Sequence, residues 1–194
     1  MNKTYPENIT AEDLKSYELS WYRGEIVLVD DLEKFNDVMP ILREKRILGF
    51  DTETRPSFHK GQFYDVALLQ IALPERVFLI RLNTTGITAE MVHFFENKNI
   101  LKAGVGVRDD IRIMQKLKPF EAGGFIEITT LAKQAGLQVE SVKKLSALLL
   151  GFRISKSAQT SNWEAPALNE KQLSYAATDA WVCLEIYKKL AGKV

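Results

Sequence analysis

Apolar residues fall into short dense blocks in the first half of the chain and into a wider helical rhythm in the second. A β-branched run at 25–29 predicts an edge strand. Leu32, Phe35, Val38, Met39 and Leu42 then recur at helical spacing behind Asp30 and Asp31, which open the helix. Residues 46–52, 66–72 and 77–82 read as strands. They are separated by a loop at 56–64 containing Gly61 and by the turn Pro74-Glu75-Arg76. A helix is expected at 88–95, then a short strand at 100–104 that feeds the helix carrying Asp109 and Asp110. From about Glu127 the pattern is nearly all helical, with helices at 127–135, 142–149 and 170–190 and a polar loop at 153–162.

Strands early, helices late and two strand–helix–strand crossovers predict an α/β domain around a mixed sheet. No repeat, low-complexity segment or linker interrupts the chain, so residues 25–194 read as one domain. Residues 1–24 are polar and read as a surface extension, with a helix start at Thr10 as cap and Asp13 three residues on.

Three groups of acids stand out against this pattern. Asp51 and Glu53 close an apolar strand at i and i+2, a spacing that puts both side chains on one face with α-carbons roughly 6–7 Å apart. Tyr175 and Asp179 lie one turn apart on the last helix, whose buried side is marked by Leu173, Ala176, Val182, Ile186 and Leu190. In between, Val107, Ile111 and Met114 mark the buried stripe of the helix after Gly106. Asp110 adjoins that stripe, whereas Asp109 reads as a solvent-facing acid at a helix start. Neither pair is diagnostic alone, since two acids at an exposed strand end or a tyrosine beside an acid are ordinary. Together they are costly to desolvate without a cation or a hydrogen-bond network. Oxygen ligands in this number, with no histidine or cysteine cluster, point to magnesium or manganese and to a two-metal nuclease.

Phe50-Asp51-Thr52-Glu53, Val105-Gly106-Val107-Arg108-Asp109-Asp110 and Tyr175-Ala176-Ala177-Thr178-Asp179-Ala180 resemble the three motifs of the DEDD superfamily of 3′–5′ exonucleases, tyrosine subclass. The resemblance is nearest to Werner-type exonuclease domains and more distant to ribonuclease D. It extends over about 27–190, through 66–72, 125–129, 144–151 and Ser161-Asn162-Trp163, in the expected order. It implies an RNase H-like mixed sheet flanked by helices. It also implies two divalent cations, Mg2+ or Mn2+, one held by Asp51, Glu53 and Asp179 and a second bridged by Asp51 and supported by Asp110. The implied reaction is hydrolysis of the terminal phosphodiester at a nucleic-acid 3′ end, DNA favoured and RNA compatible, releasing nucleoside 5′-monophosphates. A phenol with a pKa of about 10 is too weak a base to take the proton unaided, so Tyr175 is expected to orient the attacking water.

Substrate contacts are sought at Thr52 and Thr54, and at Lys60, Arg108 and Lys156 for phosphates. Thr54 stands where the Werner-type domain carries an aromatic residue, so stacking is looked for at Phe63 and its loop neighbours Phe58 and Tyr64. Trp163 reads as a packing anchor and His59 shares no motif.

Composition adds little. The net charge of +1 makes no bulk case for nucleic-acid binding, although 26 Lys and Arg suffice for a local patch. The single cysteine, Cys183, excludes an intramolecular disulfide and reads as a small core residue. No signal-like or membrane-spanning stretch is read, so a cytoplasmic protein without a membrane or obligate protein partner is expected. Two rivals are weighed. A silent nucleic-acid-binding module of the same fold is disfavoured because all five site residues are present, and a carboxylate-pair glycosidase leaves Asp110, Tyr175 and Asp179 without a task.

Overall fold

Val66–Ala72 carries one polar side chain, Gln70, in an otherwise apolar run, and every residue of it is buried. A strand that offers neither face to water lies inside a sheet covered on both sides. In the computed structural model, which describes residues 5–192, this run is β3 of a six-stranded sheet ordered β1-β4-β3-β2-β5-β6. The other strands are β1 (Glu25–Val29), β2 (Ile47–Thr54), β4 (Arg76–Arg81), β5 (Leu101–Gly104) and β6 (Phe125–Glu127). β2, β3 and β4 form an antiparallel centre, β1 joins parallel to β4, and β5 and β6 extend the other side in parallel. The fold is the expected mixed α/β sheet flanked by helices.

One face is covered by α2 (Leu32–Arg43), α4 (Ala89–Glu96) and α5 (Val107–Leu117), around Phe35, Phe50, Phe78 and Phe95. Each such side chain, fully buried, contributes roughly 1.5–3 kcal/mol. The opposite face carries α6 (Ile128–Gln134), α7 (Val142–Leu150) and the long α8 (Glu170–Ala191). α8 starts on a capping box between Asn169 and Gln172. Lys102, wholly buried on β5, donates to the carbonyls of Phe94 (3.1 Å) and Asn97 (3.0 Å) and so closes the C-terminus of α4. Burial pulls its pKa down to about 8.

Three details differ from expectation. β2 runs to Thr54 because β3 stays paired with it that far. Leu82, expected to end a strand, instead begins a single helical turn, α3 (Leu82–Thr85). Residues 125–127 form β6, a strand too short for its periodicity to show, which completes a third crossover through α5.

The N-terminal segment does more than cover the surface. It holds α1 (Ala11–Ser16), capped by Thr10, and buries Ile9, Leu14 and Tyr22. Leu19 bridges to Arg153, and the backbone N–H of Tyr22 donates to Thr178 Oγ1 at 3.0 Å. No helix of the described residues is long and apolar enough to cross a membrane.

Helix α8 comes close to the sheet at Gly49. A Cβ placed there would stand 2.0 Å from the Ala180 carbonyl oxygen and 3.0 Å from Leu184 Cβ. The small residues Ala176, Ala177 and Ala180 line the same side of α8, so the helix lies almost on the backbone of β2. Gly49→Ala is therefore expected to lower stability by about 1–3 kcal/mol through overpacking. Gly192→Ala, with nothing within 4 Å of the added methyl, serves as the control and should stay within about 0.5 kcal/mol. Urea denaturation of the two variants checks this, and an unchanged midpoint for Gly49→Ala would mean that α8 does not rest on β2 there.

Candidate functional site

β5 accompanies β2 only from Ile47 to Gly49, whereas β3 remains beside it to Thr54. Beyond Gly49, β2 therefore has one open side. Side chains alternate along it: Leu48 and Phe50 enter the core under α2, α4 and α5, so Gly49, Asp51 and Glu53 face α8. The contact at Ala180 sets the height of the helix and brings the preceding residue, Asp179, onto the two strand acids. Carboxylate oxygens of Asp51, Glu53 and Asp179 all lie within 4.8 Å of one another. Tyr175, one turn back on α8, is buried and tilts against Trp163 at 5.9 Å between ring centroids.

Asp110 approaches from α5 and is tied to β2 through Thr52, outside the group of three converging carboxylates. Thr52 Oγ1 donates to Asp110 Oδ1 at 2.5 Å. Asp109 points to solvent and pairs with Arg112 at 3.2 Å, as the helix phase predicted. The start of α5 is fixed by Gly106 in the left-handed region (φ 77°) and by Glu127. Glu127 Oε2 accepts from the backbone N–H groups of Gly106 (2.9 Å) and Val107 (3.1 Å), while Oε1 accepts from the N–H (3.2 Å) and hydroxyl (2.8 Å) of Thr129. One carboxylate thus caps both α5 and α6. The sequence shows Glu127 as an acid at the start of its own helix and gives no sign of its second task, which links segments far apart in the chain.

Lys156, from the loop between α7 and α8, places Nζ 2.9 Å from Asp179 Oδ2 and 3.4 Å from the Tyr175 hydroxyl. Gln159 and Glu140 join these residues around a cleft of about 310 Å³. The adjoining loop forms a second hollow of about 320 Å³ lined by Arg55, Phe58, His59 and Tyr64. There Arg55 pairs with Glu164 at 3.2 Å and covers the Tyr64 ring at 4.6 Å, so that ring face is occupied. Phe58 and Phe63 are almost fully exposed, at 79% and 89%. Lys60 and Arg108 are exposed and Thr54 is half-buried. Of the residues considered for substrate contact, the structure brings Lys156 and Thr52 into the cleft itself.

The acids resist ionisation in this setting. Burial, then the charges of Asp179 and Asp110, hold Asp51 well above the carboxylate range. Burial with Asp51 and Asp179 pushes Glu53 up to about 10. Asp110 rises to about 6 through burial, against the Thr52 hydrogen bond that opposes it. Asp179 is raised by burial and partly relieved by Lys156. Burial and the neighbouring Asp179 and Glu53 charges raise the Tyr175 phenol, which stays protonated.

These residues fit a divalent cation. Asp179 Oδ1 is buried and has no hydrogen-bond partner among the described residues, and it belongs to the group of three converging carboxylates. An all-oxygen, multiply acidic donor set suits a hard ion such as Mg2+ or Mn2+.

A family model described as 3′–5′ exonuclease matches residues 26–194. The chain is 32% identical over 162 residues to the mouse bifunctional 3′–5′ exonuclease/ATP-dependent helicase WRN, an alignment covering 80% of this chain and 12% of that protein. It also spans less than a third of two further relatives, the Aedes aegypti exonuclease mut-7 homolog (26%) and the mouse exonuclease 3′–5′ domain-containing protein 2 (29%). Among solved structures, the Aedes aegypti Nibbler EXO domain superposes with a TM-score of 0.79 at 26% identity, covering 89% of this chain and 91% of that one. Escherichia coli RNase D shares the fold, with a TM-score of 0.78 at 19% identity over 88% of this chain and 45% of its own. The sheet and its helices are thus of the RNase H-like exonuclease type.

The raised acids fix the sign of a pH dependence. Glu53 and Asp110 bind protons more readily folded than unfolded. Their contribution to stability is therefore full below the ordinary carboxylate pKa, and it is lost as pH rises through about 6 for Asp110 and about 10 for Glu53. With chelator present, the melting temperature should fall from about pH 5 to pH 9, and Mn2+ should flatten that slope. Asp51→Asn should raise the metal-free melting temperature and abolish the gain from Mn2+. Thermal scans across pH check all three, and a metal-free melting temperature that climbs with pH would contradict the electrostatic picture.

Proposed function

The chain belongs to the 3′–5′ exonuclease family, and on that premise we propose that residues 25–194 form a metal-dependent catalytic domain that removes nucleotides from a nucleic-acid 3′ end. The reading takes DNA in preference to RNA and nucleoside 5′-monophosphates as products. The observation that carries it is the convergence of Asp51, Glu53 and Asp179 within 4.8 Å beneath a buried tyrosine.

In this reading Asp51, Glu53 and Asp179 would hold one Mg2+ or Mn2+. Asp51 would be shared with a second ion, and Asp110, held by Thr52, would support that one. Two such ions supply an activated water and charge neutralisation at the leaving oxygen. Tyr175, kept protonated, donates a hydrogen bond and so orients the attacking water rather than taking its proton. Lys156 binds the phosphate entering the cleft, with Arg108 and Lys60 further along the strand. Thr52 and Thr54 border the terminal nucleotide. The free rings of Phe63 and Phe58 serve as stacking platforms for upstream bases, worth about 1–3 kcal/mol per base. Tyr64, covered by Arg55, is the least suited of the three. A reducing, cytoplasmic setting is supported by the lone buried Cys183.

Digestion of 3′-labelled DNA and RNA of matched sequence tests the proposal. Mononucleotides should be released from the 3′ end, EDTA should stop the reaction and Mn2+ should restore it. Full activity in EDTA, or internal cleavage, would refute it.

Two substitutions probe the roles. Asp110→Asn should be severely impaired and Asp109→Asn nearly normal. The reverse ranking in steady-state turnover would show that the wrong acid was chosen. Tyr175→Phe keeps the ring in place and should slow the single-turnover rate by about 10- to 1000-fold, the effect of one catalytic hydrogen bond of about 1.4–4 kcal/mol. An unchanged rate would leave Tyr175 as a packing residue.

A further inference from the structure

Lys156 stands where two different partners compete for it. Its Nζ sits on Asp179 Oδ2 at 2.9 Å, and that carboxylate is one of the three that converge. The other oxygen of Asp179 is buried without a partner among the described residues. The lysine also lies over the Tyr175 ring at 5.4 Å and reaches its hydroxyl at 3.4 Å. An ammonium group therefore already sits on the carboxylate that a divalent cation would take, and two cations on one carboxylate repel.

The surroundings allow the side chain to leave without moving the loop. Ile154 and Ala158 are buried on either side of it, the Ser157 N–H donates to Ser155 Oγ, and the Ser155 hydroxyl donates to Ser157 Oγ, which ties the backbone at 155–157. The Lys156 side chain itself is 30% exposed and borders the open cleft. A lysine has four flexible methylenes and three freely rotating donors, so it can serve one acceptor after another.

We propose that Lys156 is an exchangeable counter-ion. It holds Asp179 and Tyr175 in register before metal loading, releases Asp179 Oδ2 when the divalent cation arrives, and turns to the phosphate of the incoming strand. This rests on the metal-dependent reading above and adds to it an order of events: the ion displaces the lysine, and only the displaced lysine is free for substrate.

The test uses the full chain, Mn2+ alone, and then a single-stranded oligonucleotide with a phosphorothioate 3′ linkage. Calorimetric titration should show that Lys156→Met binds Mn2+ about two- to fivefold more tightly than the parent, the effect of removing one partly exposed competing charge. The same variant should melt lower without metal and bind the oligonucleotide more weakly. Lys156→Arg should keep the competition and much of the oligonucleotide binding. Amine labelling read by mass spectrometry should find Lys156 protected in chelator, several-fold more reactive with Mn2+, and protected again by the oligonucleotide. Equal or weaker Mn2+ binding by Lys156→Met, or labelling that ignores Mn2+, would overturn the exchange and leave the exonuclease reading standing. Failure of the parent chain to bind Mn2+ would overturn both.

Discussion

Everything at the cleft depends on one unfavourable arrangement, in which carboxylates are forced together under a helix where burial limits their screening by water. Left to themselves, Asp51, Glu53 and Asp179 would turn outward. They stay together because α8 is pressed onto β2 at Gly49, and the energy for that comes from the apolar face around Ala176, Ala180, Leu68 and Leu79. Packing thus holds an electrostatic strain that the helix and strand could not hold separately. The acids Asp51, Glu53, Asp110 and Asp179 are all raised, the direction that strain dictates. A divalent ion held there would turn the same strain into affinity, because each acid that resists a negative charge alone accepts it beside a cation.

What could be read in the chain follows the range of the interactions. The alternation that sends Asp51 and Glu53 to one face, and the helical phase that separates Asp110 from Asp109, are properties of a few consecutive residues. Both were visible without coordinates. Leu32 shares the helical spacing of Phe35, Val38, Met39 and Leu42, yet as the first residue of α2 it is half exposed while those four are buried. Less accessible were contacts between distant segments. Glu127 reaches back to the start of α5, Thr52 ties Asp110 to β2, and Lys156 enters from a loop whose composition reads only as polar. No periodicity encodes such pairings, and the residues involved are ordinary surface types until the fold brings them inside.

The comparisons divide in the same way. Escherichia coli RNase D keeps the sheet and helices at 19% identity, which speaks for the architecture alone. Family membership comes from the match over 26–194, which includes the acids and the tyrosine. Outside the acid cluster, the loop after β2 leaves Phe58 and Phe63 facing solvent.

The N-terminal segment bears on where this domain begins. The family match starts at residue 26, yet Ile9, Leu14 and Tyr22 lie inside the core and Leu19 pairs with Arg153. Arg153 is three residues from Lys156, and Tyr22 is bonded to the residue before Asp179. A recombinant fragment trimmed to the homology boundary would expose the apolar seat of α1 and untie the loop that carries the lysine. These contacts carry the packed unit beyond the span that the family model matches.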